Sequence, residues 1–212
     1  MELKIFTFNP IQVNCHLLWD ETNEAALIDC GCLYDSEKSE LKRFIESNKL
    51  QLKVYLNTHL HFDHIFGNPY IYKEFGLAAW ANDADWHWAE NIAQRVARFG
   101  LRYDERIPAL GRILSDGDEI HFGKQRIVAI SVPGHSPGSL AYHIPEHKML
   151  FSGDALFRDS IGRTDFPDSN HTLLISSIKE KLFTLPKDTV VYPGHDRSTT
   201  IEYESEYNMF VR

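Results

Sequence analysis

The alternation of apolar and polar residues along the chain predicts short strands interrupted by helices. Three short apolar runs, separated by turn residues, open the sequence: LKIFTF, CHLLW and AALID. The next stretch, SEKSELKRFIESNKL, is amphipathic and predicts a helix with Ser36 as its N-cap. The strand LKVYLN follows that helix and leads the chain into a polar segment that begins at Thr58.

The middle of the chain predicts two helices followed by a loop. The stretch HIFGNPYIYKEFG has the apolar spacing of a short helix, which Gly76 would end. The stretch NDADWHWAENIAQRVARFG predicts one longer helix that begins near Asn82. Residues 101–118 contain proline and two glycines, and they predict a loop.

Strand patterns return in the second half of the chain. Four further apolar runs predict strands: EIHF, RIVAISV, SLAYHI and KMLFSG. A helix is predicted over NHTLLISSIKEKLFTL, and TVVYPGH predicts a last strand. Because strands occur in both halves, the pattern predicts an α/β or α+β fold with more than one sheet. No linker divides the sequence, so we expect one domain over residues 1–212.

The composition excludes several classes of protein. Hydrophobic residues make up 43% of the chain and charged residues 25%, as in folded globular domains. The net charge of −8 argues against nucleic acid binding, which usually needs a basic surface. Neither a signal peptide nor an apolar run long enough to cross a bilayer is visible. We therefore expect a cytoplasmic protein, monomeric or homodimeric, that binds neither nucleic acid nor membrane.

The cysteines do not predict a disulfide framework. There are three of them, Cys15, Cys30 and Cys32, which is an odd number in a chain of 212 residues. The Cys-x-Cys spacing could suggest a metal site, but it is weak on its own. We therefore expect buried free thiols.

Metal-ligand side chains are concentrated at the ends of predicted strands. Four lie in the segment THLHFDH: His59, His61, Asp63 and His64. Three more directly follow later apolar runs: His135, Asp154 and His195. Strand ends place functional groups on a rigid base beside a cleft. The element Pro-Gly-His occurs twice among them, and its glycine permits a tight turn that aims the histidine.

These donors predict a centre with two metal ions. Five imidazoles and two carboxylates are too many for one catalytic zinc ion, which takes about four to five ligands including water. They suit two ions if one carboxylate bridges them. A polar loop with coincidental histidines is the alternative, and the recurrence of the motifs argues against it. The other six histidines are expected to be ordinary core or surface residues: His16, His87, His121, His143, His147 and His171.

The order of these motifs resembles the metallo-β-lactamase superfamily. The sequence THLHFDH, followed by PGH, SGD and a second PGH, carries that resemblance, which extends from ALID to the last PGH. The run FSGDALFRDSIGRTDFP is similar to short glyoxalase II-like hydrolases within the superfamily. The resemblance implies a four-layer αββα sandwich, in which two mixed β-sheets pack face to face, helices lie outside and metals lie at one edge.

The resemblance also implies a role for each motif residue. A first metal ion would be held by His59, His61 and His135. A second would be held by Asp63, His64 and His195, with Asp154 bridging the two. Asp29, at the end of ALID, would support the metal-binding loop from behind the ligands, and Asp63 would also orient the attacking water and handle its proton. We expect two divalent ions, zinc in the first place, with iron or manganese as alternatives.

The implied chemistry is hydrolysis of a small thioester or another ester. Two adjacent cations supply hydroxide at neutral pH and polarise a carbonyl, and a thiolate leaves without a strong acid. Arg163 is the first choice for contact with an anionic thiol carrier, and Arg158 is the second. Either arginine could instead form a structural ion pair, for example with Asp165. The C-terminal helical region of full-length glyoxalase II is missing after His195, so the thiol and the acyl group stay open.

Other activities compete with this hypothesis. A mononuclear iron persulfide dioxygenase of the same fold is the runner-up, with two histidines and one aspartate on the iron. The acidic charge balance disfavours a nuclease. A structural zinc site would be closed with four ligands, which disfavours a metal-stabilised binding protein. The lack of a secretion signal and the GRTDF element disfavour β-lactam hydrolysis.

Overall fold

A mixed six-stranded sheet is built from the first half of the chain in the computed structural model, which describes residues 1–211. Its strands are β1 (Glu2–Phe8), β2 (Val13–Trp19), β3 (Glu24–Ile28), β4 (Gln51–Leu56), β5 (Trp80–Ala81) and β6 (Arg112–Ile113). They lie side by side in chain order. The first three pair antiparallel, and β3 to β6 pair parallel. The carboxyl ends of β3 and β4 therefore meet at one edge.

A second mixed sheet is built from the second half. Its strands are β7 (Glu119–Phe122), β8 (Gln125–Ser131), β9 (Leu140–Ile144), β10 (Met149–Gly153), β13 (Val190–Pro193) and β14 (Thr199–Thr200). The order across the sheet is β14-β13-β10-β9-β8-β7. Since β9 is antiparallel to both β8 and β10, and β10 is parallel to β13, the strands β8, β10 and β13 run in the same direction. A separate hairpin joins β11 (Leu156–Phe157) to β12 (Ser160–Ile161).

Seven helices of the described residues 1–211 connect and cover the sheets. They are α1 (Asp35–Ser47), α2 (Phe62–Ile65), α3 (Asn68–Phe75), α4 (Trp86–Glu90), α5 (Ile92–Ala97), α6 (His171–Ser177) and α7 (Ile201–Tyr207). A π-helical turn, Ile178–Leu182, continues α6. Within residues 1–211, no helix has the length and apolar character needed to cross a bilayer.

The apolar side chains pack into layers that make an αββα sandwich. Adjacent residues on a strand face opposite sides: Leu17 packs with Leu41 and Ile45 of α1, whereas Leu18 packs against the second sheet. The outer face of the second sheet is covered by α6, chiefly through Leu174. The predicted four-layer fold of two mixed sheets flanked by helices is confirmed.

One predicted helix boundary is wrong. Ser36 is not the N-cap of α1, because that helix already begins at Asp35. The carboxylate of Glu37 instead accepts hydrogen bonds from the backbone N–H groups of Leu33 (2.8 Å) and Tyr34 (2.9 Å), which satisfies donors at the helix start.

The single helix predicted from residue 82 onward is interrupted. Asn82 caps a 3₁₀ turn over Asp83–Asp85, and the helical path breaks again at Asn91 between α4 and α5. The Asn91 side chain donates to the carbonyl of His87, so it competes with the helical backbone pattern there.

Two other predictions agree with the structure. Gly76 ends α3 in the left-handed conformation, with φ of 71°. All three cysteines are buried and have free thiols.

Candidate metal centre

The seven predicted ligands converge where strands of both sheets end. The segment after β4 carries His59 and His61, and α2 then presents two more. The segments after β8, β10 and β13 carry the other three: His135, Asp154 and His195. Because β8, β10 and β13 run in the same direction, their carboxyl ends bring these side chains to one edge of the sandwich.

Three histidine nitrogens form a first donor group. The Nδ1 atom of His61 lies 3.1 Å from Nε2 of His59 and 2.9 Å from Nε2 of His135. All three side chains are buried. Ring nitrogens at these separations can converge on one cation, and the three residues form a group that could hold a metal ion.

A second donor group contains Asp63, His64 and His195. The Oδ2 atom of Asp63 lies 3.6 Å from Nε2 of His64 and 3.2 Å from Nε2 of His195. Its members come from α2 in the first half of the chain and from the end of β13 in the second half.

Asp154 lies between the two groups. Its Oδ1 atom is 3.4 Å from Nε2 of His64, and its Oδ2 atom is 3.7 Å from Nε2 of both His135 and His195. Asp154 also forms a possible donor group with His59 and His64, one histidine from each of the two groups above. This is the arrangement expected of a carboxylate that could bridge two ions.

Hydrogen bonds behind the histidines fix their orientation. The Nδ1 atoms of His135 and His195 lie 2.9 Å and 3.2 Å from the backbone carbonyls of Arg163 and Gln12. An Nδ1–H that donates to a carbonyl leaves the lone pair on Nε2, the atom that faces the site. Arg163 thus contributes a backbone oxygen to the centre, a role that the sequence did not suggest.

Asp29 supports both donor groups from behind. Its carboxylate accepts from the backbone N–H (2.8 Å) and the hydroxyl (2.7 Å) of Thr58, and it lies 3.0 Å from Nδ1 of His64. The Thr58 hydroxyl in turn lies 3.1 Å from Nδ1 of His59. One buried carboxylate is therefore linked to a histidine of each group. Its backbone is left-handed, with φ of 55°.

Glycines let the backbone approach the site closely. A Cβ atom on Gly162 would lie 1.8 Å from the carbonyl oxygen of Asp154, and one on Gly194 would lie 2.3 Å from its Oδ1 atom. No side chain fits at either position without moving Asp154. The glycine of the second Pro-Gly-His element is therefore required by contact with the site.

The surroundings shift the protonation of the histidines in two directions. Burial lowers the pKa of His59 well below its usual value and that of His61 to about 3, so both rings are neutral at pH 7. Burial also lowers the pKa of His64, but the carboxylates around it, Asp154 foremost, raise it by more. A cation that binds there would therefore have to displace a proton from His64.

The residues present fit a pair of divalent ions. Among residues 1–211, Nε2 of His64 and Oδ1 of Asp154 are buried without a hydrogen-bond partner, although both face the site. Unpaired buried polar atoms are costly, and a cation would satisfy both. Imidazole and carboxylate ligands accept zinc, iron and manganese. None of the six other histidines joins these groups in the described chain.

A cavity of about 610 Å³ opens over this edge. Its floor contains five of the seven donors: His61, Asp63, His135, Asp154 and His195. Its wall is aromatic and basic, formed by Trp88, Phe99, Phe166, Arg95, Arg98 and Arg163. The rings of Trp88 and Phe166 lie 4.4 Å and 4.9 Å from the His61 ring. A small molecule that reached the donors would contact this wall.

The two arginines proposed from sequence lie in different places. Arg163 lines the cavity, but both of its terminal contacts go to Asp165, each at 2.7 Å. Arg158 does not line this cavity. It lies over the Tyr203 ring at 4.4 Å and faces a shallower depression.

The sequence did not single out Trp88, Phe166, Arg95 or Arg98. The sequence pattern places Trp88 and Arg95 in one continuous amphipathic helix, in which aromatic and basic residues are common. In the structure the helical path is interrupted at Asn91, and both Trp88 before it and Arg95 after it line the cavity.

Comparisons with known proteins agree with this geometry. The sequence pattern of the metallo-beta-lactamase superfamily matches residues 8–195. The hydroxyacylglutathione hydrolase GloC of Haemophilus influenzae is 35% identical over 218 residues, covering 100% of this chain and 98% of the relative.

Two solved structures are similar over nearly their whole length. The B3 metallo-beta-lactamase BLEG-1 has a TM-score of 0.89 at 32% identity, covering 99% of each chain. The protein TTHA1623, solved in a di-iron-bound form, has a TM-score of 0.86 at 32% identity, covering 98% of this chain and 99% of its own. The chain therefore belongs to the metallo-beta-lactamase superfamily and is a metal-dependent hydrolase.

Proposed function

We propose that this protein hydrolyses thioesters of small molecules with two divalent metal ions, zinc in the first place. The observation that carries the proposal is the position of Asp154 between two donor groups, which suits a pair of ions better than one. The similarity to a hydroxyacylglutathione hydrolase along the whole chain supports the thioester as the substrate class. Hydroxyacylglutathione is one candidate within it.

The chain's own residues divide the work of such a reaction. The two donor groups, with Asp154, would hold the ions, which would supply activated water at neutral pH and polarise the carbonyl when bound. Asp63 lies at the cavity floor with Oδ2 3.2 Å from Nε2 of His195, where it would orient the attacking water and accept its proton. A thiolate leaving group ionises easily, so no strong acid is required opposite Asp63.

The aromatic wall would position the substrate. Trp88 and Phe166 pack 5.5 Å apart and edge-on against His61, so they form an apolar surface beside one of the proposed metal ligands. This surface would also exclude water from the bound acyl or thiol arm.

Metal content and substrate range test the proposal together. The purified protein is analysed for metal per chain, and then assayed with thioesters, oxygen esters and a β-lactam. About two equivalents of metal and thioester turnover are the expected result. One equivalent of iron, with oxygen uptake on a thiol persulfide, would replace the proposal with the dioxygenase. Turnover of the β-lactam alone would replace it with the activity that names BLEG-1.

The variant His59→Ala provides the matched test of the centre. His59 contributes to the first donor group, so its loss is expected to remove metal from that position and nearly all turnover. His121→Ala is the control, because His121 is exposed and lies outside both groups. Wild-type turnover in His59→Ala would contradict the two-metal proposal.

A further inference from the structure

Arg95 is a cationic side chain of the cavity wall that has no carboxylate partner. Among residues 1–211, no ion pair or side-chain hydrogen bond joins Arg95 to another group, and its Nε atom is buried without a partner. The charge of Asp168 acts on Arg95 without a hydrogen bond between them. The Oδ2 atom of Asp168 accepts from Nε1 of Trp88 and lies 2.9 Å from Nε2 of His87, and its Oδ1 atom is buried without a hydrogen-bond partner. The guanidinium stays charged at neutral pH.

The neighbouring arginines of the cavity differ from Arg95 in pairing and in exposure. Arg163 is neutralised locally by Asp165, through two contacts of 2.7 Å. Arg98 follows α5 at the rim, is exposed, and has no ion pair in the described part of the chain. Within residues 1–211, neither Arg95 nor Arg98 forms an ion pair with a carboxylate, whereas Arg163 is paired directly with Asp165. Asp196 also lines the cavity; it is not one of the proposed metal ligands and directly follows His195 in the sequence.

An aromatic ring fixes Arg95 beside the metal centre. The guanidinium carbon lies 3.4 Å from the centre of the Trp88 ring, and the centre of the His61 ring lies 4.4 Å from the centre of the same indole. Arg95 and a proposed metal ligand therefore both contact the same indole ring. Because Asp168 holds the Trp88 nitrogen at 2.7 Å, the ring cannot easily turn away. Stacking of this kind orients the guanidinium edge and leaves its N–H groups free.

We propose that Arg95, assisted by Arg98, binds an anionic group on the arm of the substrate that extends along the Trp88 wall. The ligand chemistry that fits is a carboxylate, which a guanidinium can bind with two parallel hydrogen bonds. The substrate class is then a thioester whose thiol or acyl arm carries a carboxylate. This inference rests on the proposed thioester hydrolysis and adds the charge of the substrate to it.

The test compares one anionic and one neutral thioester that share the same acyl group. The thiol parts are a carboxylate-bearing thiol and its uncharged amide. In the wild type, kcat/KM is expected to be higher for the anionic thioester. In Arg95→Gln, the ratio of the two kcat/KM values is expected to fall by about 10- to 100-fold, through KM, because one charge-assisted contact is lost. Arg95→Lys should recover part of that ratio.

Two further arms separate this inference from the proposed function. Arg102→Gln is the matched control, because Arg102 is paired with Asp104 at 2.7 Å and does not line the cavity. Binding of the matching carboxylated thioether, which has no bond to hydrolyse, is measured by calorimetry in the wild type and in Arg95→Gln.

The outcomes are distinct. Weaker thioether binding in Arg95→Gln, with Arg102→Gln unchanged, supports the inference even if no thioester is turned over. Equal binding and an unchanged specificity ratio in Arg95→Gln would overturn it, while thioester turnover itself would still stand.

Discussion

Replacing the buried carboxylate of Asp29 by an amide is expected to weaken both metal positions at once. Asn is nearly isosteric with Asp, and it also tolerates the left-handed backbone that residue 29 adopts, with φ of 55°. The substitution Asp29→Asn should therefore leave the turn after β3 intact. What changes is the hydrogen-bonding chemistry: one acceptor oxygen becomes a donor.

The contacts of Asp29 give the size of the effect. The amide oxygen can still accept from the backbone N–H of Thr58, now at 2.8 Å. The new NH₂ group then faces the Thr58 hydroxyl and Nδ1 of His64, which lie 2.7 Å and 3.0 Å from the present carboxylate oxygen. If His64 accepts from that NH₂ group, its proton moves to Nε2, and the lone pair that faces the site is lost.

One or two hydrogen bonds to a charged group are therefore lost, at about 1.5–3 kcal/mol each. We expect the free energy of unfolding to fall by about 2–4 kcal/mol. Metal affinity is expected to fall about 10- to 100-fold, as is common when a residue behind metal ligands is changed.

Competition with a chromogenic chelator measures the metal affinity, and urea unfolding of the metal-free protein measures stability. Asp20→Asn is the matched control. Asp20 is also buried and accepts from Gln125, Thr22 and the backbone of Lys124, but it lies away from the site. That control should lose stability and keep its metal affinity. Wild-type metal affinity in Asp29→Asn would refute the idea that this carboxylate orients the ligands.

Three further changes probe the wall, the interior and the backbone. Arg163→Ala is expected to raise KM for an anionic thioester more than it lowers kcat, yet by less than Arg95→Gln does, because Asp165 already pairs with Arg163; steady-state kinetics of both variants decide this. Burial lowers the pKa of His16 from 6.5 to about 4. Between these two pH values the unfolded chain binds a proton at His16 that the folded protein does not, so the free energy of unfolding falls as the pH drops from 6.5 to 4, by up to about 3 kcal/mol. His16→Leu should flatten that part of the profile in urea unfolding at several pH values, and an unchanged slope would contradict the assignment. Gly162→Ala should displace Asp154, whose carbonyl oxygen would lie 1.8 Å from the new Cβ, and reduce bound metal in elemental analysis without unfolding the chain, as judged by circular dichroism.

The grouping of the seven candidate donors could be predicted because five of them follow closely after strands in the sequence and the other two, Asp63 and His64, come directly after His59 and His61 in the same motif. A strand of alternating or continuous apolar residues is recognisable locally, and the polar residue that follows it must emerge at a sheet edge. The resemblance implied that Asp29 supports the metal-binding loop, but not which residues it contacts; in the structure its carboxylate lies 3.0 Å from Nδ1 of His64. Which nitrogen each histidine presents could not be predicted, because it depends on distant carbonyls such as that of Gln12.

The wall of the cavity could not be predicted for a related reason. Trp88 meets His61 and Phe166 through tertiary packing, and each of the three comes from a different segment. The periodicity of the sequence favours one continuous helix from residue 82, so it predicts neither the break at Asn91 nor the position of Arg95 in the cavity wall. The hairpin of β11 and β12 and the helix α7 were also missed, because two-residue strands and a single short helix after the last motif give little periodic signal.

Because the ligands come from both sheets, bound metal would hold the two sheets of the sandwich together. Each donor group takes two residues from the segment after β4 and one from a segment that follows a strand of the second sheet, either His135 after β8 or His195 after β13. Bound ions would therefore link the two halves of the chain. A hydrogen bond already joins them, because the hydroxyl of Tyr142, in β9 of the second sheet, donates to the carbonyl of Asn57, which follows β4 of the first sheet. By reciprocity, if bound metal stabilises the packing of the two sheets, a substitution that loosens this packing is expected to weaken metal binding by the same coupling free energy. The metal content of a variant would then report on core packing far from any ligand.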